Sequence, residues 1–445
     1  MSEFLQLYQI MSKGRKNEYI FAINNHGENI LWTTFSLDVS QVVKKLIKLK
    51  SKNFVLACKD IYYFSVVFMA LLHAGKHIVI SPNLGEEKLF FIAKQCNGKI
   101  IRNNQAAELI KGKDATVNFS YLDTKKLEFT IYTSGSTGIS TPITKPISAL
   151  EAEILMLHQL WGERIKTSIF TSSVLHYHAY GLLFQLLWPW SEGLPILLNR
   201  ITYPEELFRY TDHYKLNFIS SPSFLKSYAE IICMGTPPHS LNLITSSGAS
   251  LSVKIAKKIS LVTTNPIIEI YGSTETGIIA TKSDLEIEEW TCFQHVTIQN
   301  NDQGFLQVKS PYTGQNGWQI LGDSIDILEN ERFILKGRND RVIKIYEKRI
   351  SLTELEESCK KISWVRSANA ITLNNSERLG CVIELNQEGV DFLFNNQKST
   401  LVQVIKKHLL PSYDLVLLPR RWRFVERLCY NEMGKVTHEE LLKLF

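Results

Sequence analysis

The residues best suited to chemistry form the stretch Tyr132-Thr133-Ser134-Gly135-Ser136-Thr137-Gly138, which directly follows the apolar-flanked run 127–131. A strand that enters a loop of glycines and hydroxyls exposes several backbone N–H groups and short donors at one point, and this geometry suits a polyphosphate. The Gly-x4-Gly-Lys-Ser/Thr pattern is absent, which disfavours an ordinary P-loop NTPase. A polar surface turn is the alternative interpretation, because such clusters are common in loops.

Four further motifs follow the loop in order. They are Tyr271-Gly272-Ser273-Thr274-Glu275-Thr276, Gly322-Asp323, Gly337-Arg338-Asn339-Asp340 and Gly434-Lys435. In this order and at these spacings, the chain resembles the adenylate-forming enzymes: acyl- and aryl-CoA synthetases, peptide-synthetase adenylation domains and luciferases. The resemblance extends from about residue 54 to the C-terminus. It implies that a carboxylic acid is activated with ATP and magnesium.

The resemblance assigns the phosphates and the metal to two loops. Residues 133–138 are expected to hold the β- and γ-phosphates, and Thr274 to contact the α-phosphate. Glu275 is expected to bind magnesium, which suits a single carboxylate completed by phosphate oxygens and waters. Lys145 completes the phosphate loop at a stretched spacing after Pro142, and a solvated loop lysine is the alternative.

Adenine and ribose are assigned to other motifs of the same resemblance. Tyr271 has a flat face for adenine, and Gly272 and Ser273 continue its loop. Ser247-Gly248-Ala249 matches the small-residue segment beside the ring, where a large side chain would fill the slot. Asp323, expected at the end of a strand, and Arg338 are expected to bind the ribose hydroxyls.

Two further residues are expected to act on the acid. Lys435 is implied to bridge the α-phosphate and the carboxylate, because two anions repel and need a cation between them. The pattern His-x-aromatic-Gly-Leu selects His178 rather than His176 as the ring that borders the acyl pocket. A core histidine is the alternative for His178.

A second half-reaction requires movement, because Lys435 obstructs the thiol that attacks the acyl-adenylate. The resemblance implies a hinge at Asp340 and a rotation that brings residues 344–351 to the active site. Glu347 stands where most members have a glycine beside pantetheine, which puts the usual CoA binding in doubt. This feature, the stretched phosphate loop and residues 419–425 resemble short bacterial AMP-ligases of aryl-polyene and fatty-acid-synthase-like clusters.

Composition restricts the compartment and the partners. The 50 Lys+Arg against 44 Asp+Glu give a formal charge of +6, too mild for the dense basic stripe of a nucleic-acid binder. Arg420-Arg421-Trp422-Arg423 is interpreted as a solvated strand edge or a docking patch for an acidic carrier protein. No nucleic-acid partner is predicted.

Targeting and covalent signals are also weak. The longest apolar stretches, residues 62–74 and 181–190, are shorter than the ~20 residues of a membrane helix. Residues 1–19 lack the apolar core of a signal peptide. The 7 cysteines form no CxxC pair, so neither a disulfide scaffold nor a zinc site is indicated. A cytoplasmic protein without a membrane span is predicted.

Strands alternate with helices from residue 53 to residue 270, which predicts an α/β protein with mainly parallel sheets. Short strands after about residue 290 predict a small β-subdomain, and a compact α+β unit follows from about residue 341. The resemblance implies a large N-terminal domain over 1–339 and a small mobile C-terminal lid over 340–445.

The function predicted from the sequence is ATP-dependent formation of an acyl- or aryl-adenylate, followed by transfer to a phosphopantetheine thiol. Holo-acyl carrier protein is favoured over CoA as the acceptor. An ordinary CoA ligase is the alternative in the same class. A nucleotide-binding regulatory protein that has lost catalysis is the alternative in another class, and the presence of Glu275, Asp323 and Lys435 argues against it.

Overall fold

The computed structural model describes residues 3–112, 116–133, 141–232, 240–263, 265–283, 287–315, 317–338, 341–345, 348–373, 378–430 and 436–445. Strands and helices alternate through the first part of the chain and build one large and one smaller sheet. Strands β1–β12 are Ile20–Ile23, Asn29–Leu31, Asn53–Leu56, His77–Ile80, Lys99–Ile101, Glu128–Thr133, Thr141–Pro146, Ile169–Ser172, Ile196–Arg200, Leu216–Ser220, Leu241–Ser247 and Ile267–Ser273. Helices α1–α11 are Ile10–Lys13, Trp32–Ile47, Ile61–His73, Glu86–Gln95, Asn103–Ile110, Ile147–Ile165, Ala179–Gly181, Trp188–Glu192, Pro204–Thr211, Pro222–Ile231 and Val253–Thr263.

The later part of the chain is richer in strands. Strands β13–β24 are Gly277–Lys282, Glu289–Cys292, Thr297–Asn300, Leu306–Lys309, Gln319–Ile320, Asp323–Ile327, Arg332–Arg338, Val342–Ile345, Lys348–Ser351, Val365–Leu373, Arg378–Leu385 and Arg421–Val425. Helices α12–α15 are Leu352–Lys360, Gln387–Asn395, Lys398–Leu409 and His438–Leu442.

The smaller of the two main sheets is mostly parallel, and the larger one has a continuous parallel part, as the alternation of strands and helices predicts. The larger has 11 strands in the order β18-β19-β14-β13-β12-β11-β10-β8-β9-β1-β2, and the smaller has five in the order β5-β3-β4-β6-β7. Pairing is parallel from β12 to β1 across the larger sheet, and parallel from β5 to β6 in the smaller one. Helix α3, almost wholly apolar, is buried beside the smaller sheet's first strands.

The C-terminal unit has its own core. Residues Ile345 to Trp422 contribute one buried cluster, which packs α12 and α14 around the sheet β22-β23-β24. The strands β20 and β21 form a separate antiparallel hairpin. None of the helices formed by the described residues combines the length and apolar character of a bilayer span.

Three details differ from the sequence predictions. The small β-subdomain is only the three-stranded sheet β15-β16-β17, because β18 pairs with β19 at the edge of the larger sheet instead. Asp323 therefore begins a strand rather than ending one. Within the region predicted to alternate strands and helices, residues 182–187 form a π-helix between α7 and α8 rather than an α-helix. Pro189 follows it and has no N–H to donate to the carbonyl four residues earlier, and its ring would clash with that carbonyl in a regular α-helix. A π-helical turn before the proline changes the position of that carbonyl.

Candidate functional site

Four parallel strands of the larger sheet end in serines at the same edge. Strands β8, β10, β11 and β12 close with Ser172, Ser220, Ser247 and Ser273. The Ser247 hydroxyl donates a hydrogen bond of 2.8 Å to the carbonyl of Ile270 on the neighbouring strand. The carboxyl edge of a parallel sheet is where α/β proteins place their ligands, and here it is lined with short donors.

The turn between β12 and β13 carries Thr274 and Glu275. The Ser273 hydroxyl lies 3.0 Å from that of Thr276 and accepts a 3.2 Å hydrogen bond from the Thr276 N–H, which closes the turn locally. Thr276 is fully buried, whereas Thr274 and Glu275 are half-buried. No hydrogen bond ties the Glu275 carboxylate to another residue within the described ranges.

Glycine at 272 is required by close packing of the same hairpin. A Cβ added to Gly272 would lie 2.5 Å from the carbonyl oxygen of Gly277, where the β12–β13 register shifts. The preceding Tyr271 ring packs 5.6 Å from the Trp290 ring and 5.9 Å from the Phe333 ring. These contacts fix the ring predicted to face adenine.

The small-residue segment after β11 leaves open space, as an adenine slot requires. Gly248 has a positive φ of +94°, and a Cβ added there would meet no atom within 4 Å. Ala249 is exposed. Because Ser247 pairs in register with Ile270, this segment and Tyr271 lie on adjacent strands.

The predicted phosphate loop connects an antiparallel pair of strands. Thr133 ends β6 and pairs with Thr141 at the start of β7, and its hydroxyl donates a 3.4 Å hydrogen bond to the Thr141 carbonyl. Ser134, Gly135, Ser136, Thr137 and Gly138 lie outside the described residues. The loop therefore leaves from and returns to the edge of the smaller sheet.

Lys145 lies on β7 and is buried, with 4% of its surface exposed. Its Nζ donates a 3.0 Å hydrogen bond to the carbonyl of Tyr312. Burial lowers the pKa of this ammonium, while Glu153 and Glu275 attract it and act in the opposite direction. The structure thus rules out the solvated loop lysine, and the phosphate contact of Lys145 stays a prediction.

Glu153, on helix α6, was not singled out by the sequence. Its Oε1 accepts a 2.8 Å hydrogen bond from the backbone N–H of Ile278, directly after the turn that carries Thr274 and Glu275. Burial raises the pKa of this carboxyl to about 7, against the smaller effects of Lys145 and the Ile278 N–H. The signal in the sequence is its spacing, because Leu150, Glu153 and Leu157 share one helix face and both leucines are buried.

Asp323 and Arg338, predicted to share the ribose, are brought together by strand register. They are paired residues of β18 and β19. Asp323 is half-buried at the first position of its strand. The structure places the two residues side by side, and their ribose contact stays a prediction.

The two candidate histidines differ in burial and in the groups that surround them. His176 is buried, its Nε2 lies 3.1 Å from the Cys58 carbonyl, and burial lowers its pKa to about 4. His178 is half-buried and precedes α7, next to the Tyr177 ring at 5.3 Å. Within α7, the Tyr180 hydroxyl lies 2.6 Å from that of Thr245. The selection of His178 over His176 is compatible with this geometry.

Several predicted residues of the C-terminal unit cannot be placed. Asp340, Glu347 and Lys435 lie outside the described residues. The segment 344–351 contributes to the hairpin β20–β21, in which Lys344 pairs with Arg349.

The basic segment at 420–423 is less available than a solvated edge. Arg423 donates to the carbonyls of Leu444 and Phe445, at 2.5 and 3.5 Å, and its guanidinium lies 4.9 Å from the centre of the Phe445 ring. Arg421 donates to the Phe445 carbonyl at 3.4 Å. Arg420 is exposed, and its backbone N–H donates a 3.0 Å hydrogen bond to the carbonyl of Leu379. Two of the three arginines therefore fasten the C-terminal residues.

These residues fit ATP and magnesium. The open backbone at Gly248 and the serine-lined edge leave room and donors for a nucleotide. Within the described ranges, no group of three or more His, Cys, Asp or Glu side chains forms a metal cage. A single half-buried carboxylate such as Glu275 instead suits Mg²⁺, which keeps waters and phosphate oxygens as its other ligands.

A family model described as AMP-binding enzyme matches residues 15–301, more than half of the chain. The protein therefore belongs to the AMP-binding enzyme family.

Curated relatives match shorter stretches. D-alanine–D-alanyl carrier protein ligase of Listeria monocytogenes is 26% identical over 30% of this chain and 26% of its own length. The anguibactin system regulator of Vibrio anguillarum is 29% identical over 32% of this chain and 14% of its length. A 4-coumarate–CoA ligase of Cereibacter sphaeroides is 26% identical over 46% of this chain and 50% of its length. The matches thus span a seventh to a half of these relatives.

Solved structures match across the whole chain. ATP-bound MatB from Rhodopseudomonas palustris has a TM-score of 0.80 at 16% identity, covering 99% of both chains. The o-succinylbenzoate coenzyme A synthetase MenE from Bacillus subtilis, in complex with AMP, has a TM-score of 0.80 at 14% identity, covering 99% of this chain and 98% of that one. At these identities the likeness establishes the fold: a large N-terminal and a small C-terminal domain.

Proposed function

We propose that this protein activates a carboxylic acid with ATP and passes the acyl group to a phosphopantetheine thiol. A carboxylate oxygen attacks the α-phosphorus, the bond to the β-phosphate oxygen breaks, and acyl-adenylate and pyrophosphate result. The thiol sulfur then attacks the acyl carbonyl carbon, and AMP leaves. Family membership supports the use of an adenylate, and both activities stay proposals for this chain.

One observation carries the proposal: the half-buried carboxylate of Glu275 sits on a closed turn after β12, and the neighbouring strand β11 leads to the open backbone at Gly248 on the same serine-lined edge. In the proposed reaction Thr274 contacts the α-phosphate, and Asp323 and Arg338 hold the ribose. Residues 133–138 hold the other phosphates. When bound at Glu275, magnesium offsets the charge of the leaving pyrophosphate.

Acyl carrier protein is the favoured acceptor, and CoA is the second candidate. The similarity to a D-alanine–D-alanyl carrier protein ligase supports the first, and the longer match to a 4-coumarate–CoA ligase supports the second. Glu347 adds to the first, because the resemblance implies a position near the pantetheine tunnel, where a carboxylate would repel the phosphates of free CoA.

The test is ATP–pyrophosphate exchange across a panel of fatty, hydroxylated and aromatic acids, followed by thioester formation with holo-acyl carrier protein and with CoA. We expect exchange with at least one acid. Glu275→Gln should greatly raise the magnesium concentration that gives half-maximal exchange. Wild-type rates of Glu275→Gln at limiting magnesium would exclude the metal role. An absence of exchange with every acid would favour the regulatory alternative, which the similarity to the anguibactin system regulator also raises.

A further inference from the structure

Beneath the turn that carries Thr274 and Glu275 lies a buried polar contact region, which we call the joint. It consists of Lys145, Glu153, Gly277, Ile278 and Tyr312. These residues come from β7, α6, β13 and the 3₁₀ turn Pro311–Thr313. The nearest pair in sequence is Gly277 and Ile278, and the others are brought together by the fold alone.

We propose that Glu153 is a positioning residue that holds the metal-ligand turn in place and connects it to the strand leaving the phosphate loop. This inference rests on the proposed function, because it concerns how Glu275 and Thr274 are presented to the nucleotide and its metal.

The first support is the contact between Glu153 and the end of the turn. Glu153 is the partner of the Ile278 N–H, and a Cβ added to Gly277 would come within 2.5 Å of its Oε1. Gly277 also has a positive φ of +71°. The carboxylate therefore occupies the space directly behind the turn, and a side chain at Gly277 would displace it.

The second support is a chain of contacts that continues to β7. Tyr312 lines the same position as Glu153, because a Cβ added to Gly277 would also be 2.9 Å from the Tyr312 Cβ. The Tyr312 carbonyl accepts the hydrogen bond from Lys145. Next to it, a Cβ added to Gly314 would be 2.6 Å from Pro146 Cδ. The strand that returns from the phosphate loop is thus packed against the same residues as the metal-ligand turn.

The third support is chemical. A carboxylate inside a protein is costly to bury, and a helix-face position between Leu150 and Leu157 would be filled more cheaply by an apolar residue. Of the charged side chains on this part of α6, Glu153 alone points at the turn, while Glu151 accepts from the Tyr8 N–H and the Thr124 hydroxyl instead, at 2.9 and 2.6 Å. Glu151 and Glu153 lie two residues apart on α6, and their carboxylates accept hydrogen bonds from different partners.

The test compares Glu153→Leu, which removes the acceptor, with Glu153→Gln, which keeps an oxygen for the Ile278 N–H. Glu151→Leu is the matched control, because it removes a half-buried carboxylate from the same helix without touching the turn. We expect Glu153→Leu to raise the magnesium concentration for half-maximal exchange by about 10-fold, a typical effect of losing a residue that supports a metal ligand. Glu153→Gln should stay close to wild type, and Glu151→Leu should keep the wild-type magnesium dependence.

Two further measurements separate this inference from the proposed function. Hydrogen–deuterium exchange of the peptide that contains Ile278 should accelerate in Glu153→Leu but not in Glu153→Gln or Glu151→Leu, and it requires no catalysis. In the double variant Glu153→Leu/Glu275→Gln, the effects on magnesium dependence should not add, because both act through one carboxylate. If exchange activity is absent with every acid, the proposed function fails, and the hydrogen exchange still decides whether Glu153 holds the turn. Unchanged Ile278 protection in Glu153→Leu, an equal magnesium effect of Glu151→Leu, or full additivity would overturn the inference.

Discussion

Two charged pairs with buried carboxylates, one in each domain, are built differently. In the C-terminal unit, Arg341 donates two hydrogen bonds to Glu356, at 2.6 and 2.7 Å. The same pair also bonds both backbone groups of Ala370, with Arg341 to its carbonyl at 2.9 Å and Glu356 from its N–H at 2.6 Å. We call this the clamp. In the joint, Lys145 bonds a carbonyl and Glu153 bonds an N–H, so each charge has a backbone partner instead.

The difference shows which charges are compensated. A planar guanidinium matches a carboxylate with two parallel bonds, and this pairing offsets much of the cost of burial. In the joint, burial affects both groups more than their charged neighbours do. It raises the pKa of Glu153 to about 7 and lowers the pKa of Lys145. In the clamp, the two charges compensate each other through direct hydrogen bonds. In the joint, burial disfavours both charges, and these charges lie close to the loops that are predicted to bind the nucleotide.

The largest expected effect comes from breaking the clamp. Arg341→Met leaves the buried Glu356 without its cation, and we expect the C-terminal unit to lose about 3–5 kcal/mol of unfolding free energy. Urea unfolding, with hydrogen exchange on α12 and β22, measures this. Arg366→Met is the control, because its contact with Glu384 is longer, at 3.5 Å, and half-exposed. A similar loss in both variants would contradict the special role given to the clamp.

The next effect concerns the chemistry of the C-terminal unit. Lys435→Ala should slow adenylation by roughly 10²–10³-fold, comparable to the removal of one preorganised charge-stabilising donor. Thioester formation from pre-made acyl-adenylate should be nearly intact. Single-turnover assays of the two half-reactions decide this, and an equal loss in both would remove Lys435 from its predicted role.

A smaller effect should follow from pH at the joint. The folded-state pKa of Glu153 is raised from 4.5 to about 7, so the folded protein binds more protons than the unfolded chain between these values. Stability from this group is therefore fully present below about pH 4.5 and is lost as the pH rises through about 7. Relative to Glu153→Gln, the wild type should lose on the order of 2–3 kcal/mol across this window. Urea unfolding of both proteins at pH 5 and pH 8 measures the difference, and a gap that does not change with pH would show that Glu153 is not strained by burial.

The smallest effect is expected at the surface. Because Arg421 and Arg423 bond the C-terminal carbonyls, Arg420→Glu is the cleaner probe of carrier-protein docking. We expect kcat/KM with holo-acyl carrier protein to fall a few-fold at low salt and to converge with wild type at high salt, since rim charges act on encounter and are screened. Pyrophosphate exchange should not change. A preference of the wild type for CoA over the carrier protein at low salt would overturn the carrier-protein proposal.

Local sequence features predicted much of the fold but not the joint. Helix α3 coincides with the apolar stretch 62–74, and it lies in the region 53–270 where the alternation of strands and helices is confirmed. The pairing of β18 with β19 was not predicted, because two short strands carry no signal for the sheet they join. Helix α13 was also missed, since the four apolar residues of 387–395 are clustered within 390–394 and set no repeating helical period.

The site shows the same division. Glu275, Gly248 and Asp323 could be selected from the sequence because each belongs to a short motif within one loop. Glu153 has its partner 125 residues away, so its role depends on tertiary packing. Its position on an apolar helix face was the one local sign that this carboxylate is buried.

The clamp attaches the start of the C-terminal unit rigidly to the rest of that unit. Arg341 is the first described residue after Arg338, and it is fastened at once to both α12 and β22. If the unit turns about the predicted pivot at Asp340, α12 and β22 would move with Arg341 as one body, because the clamp holds them together.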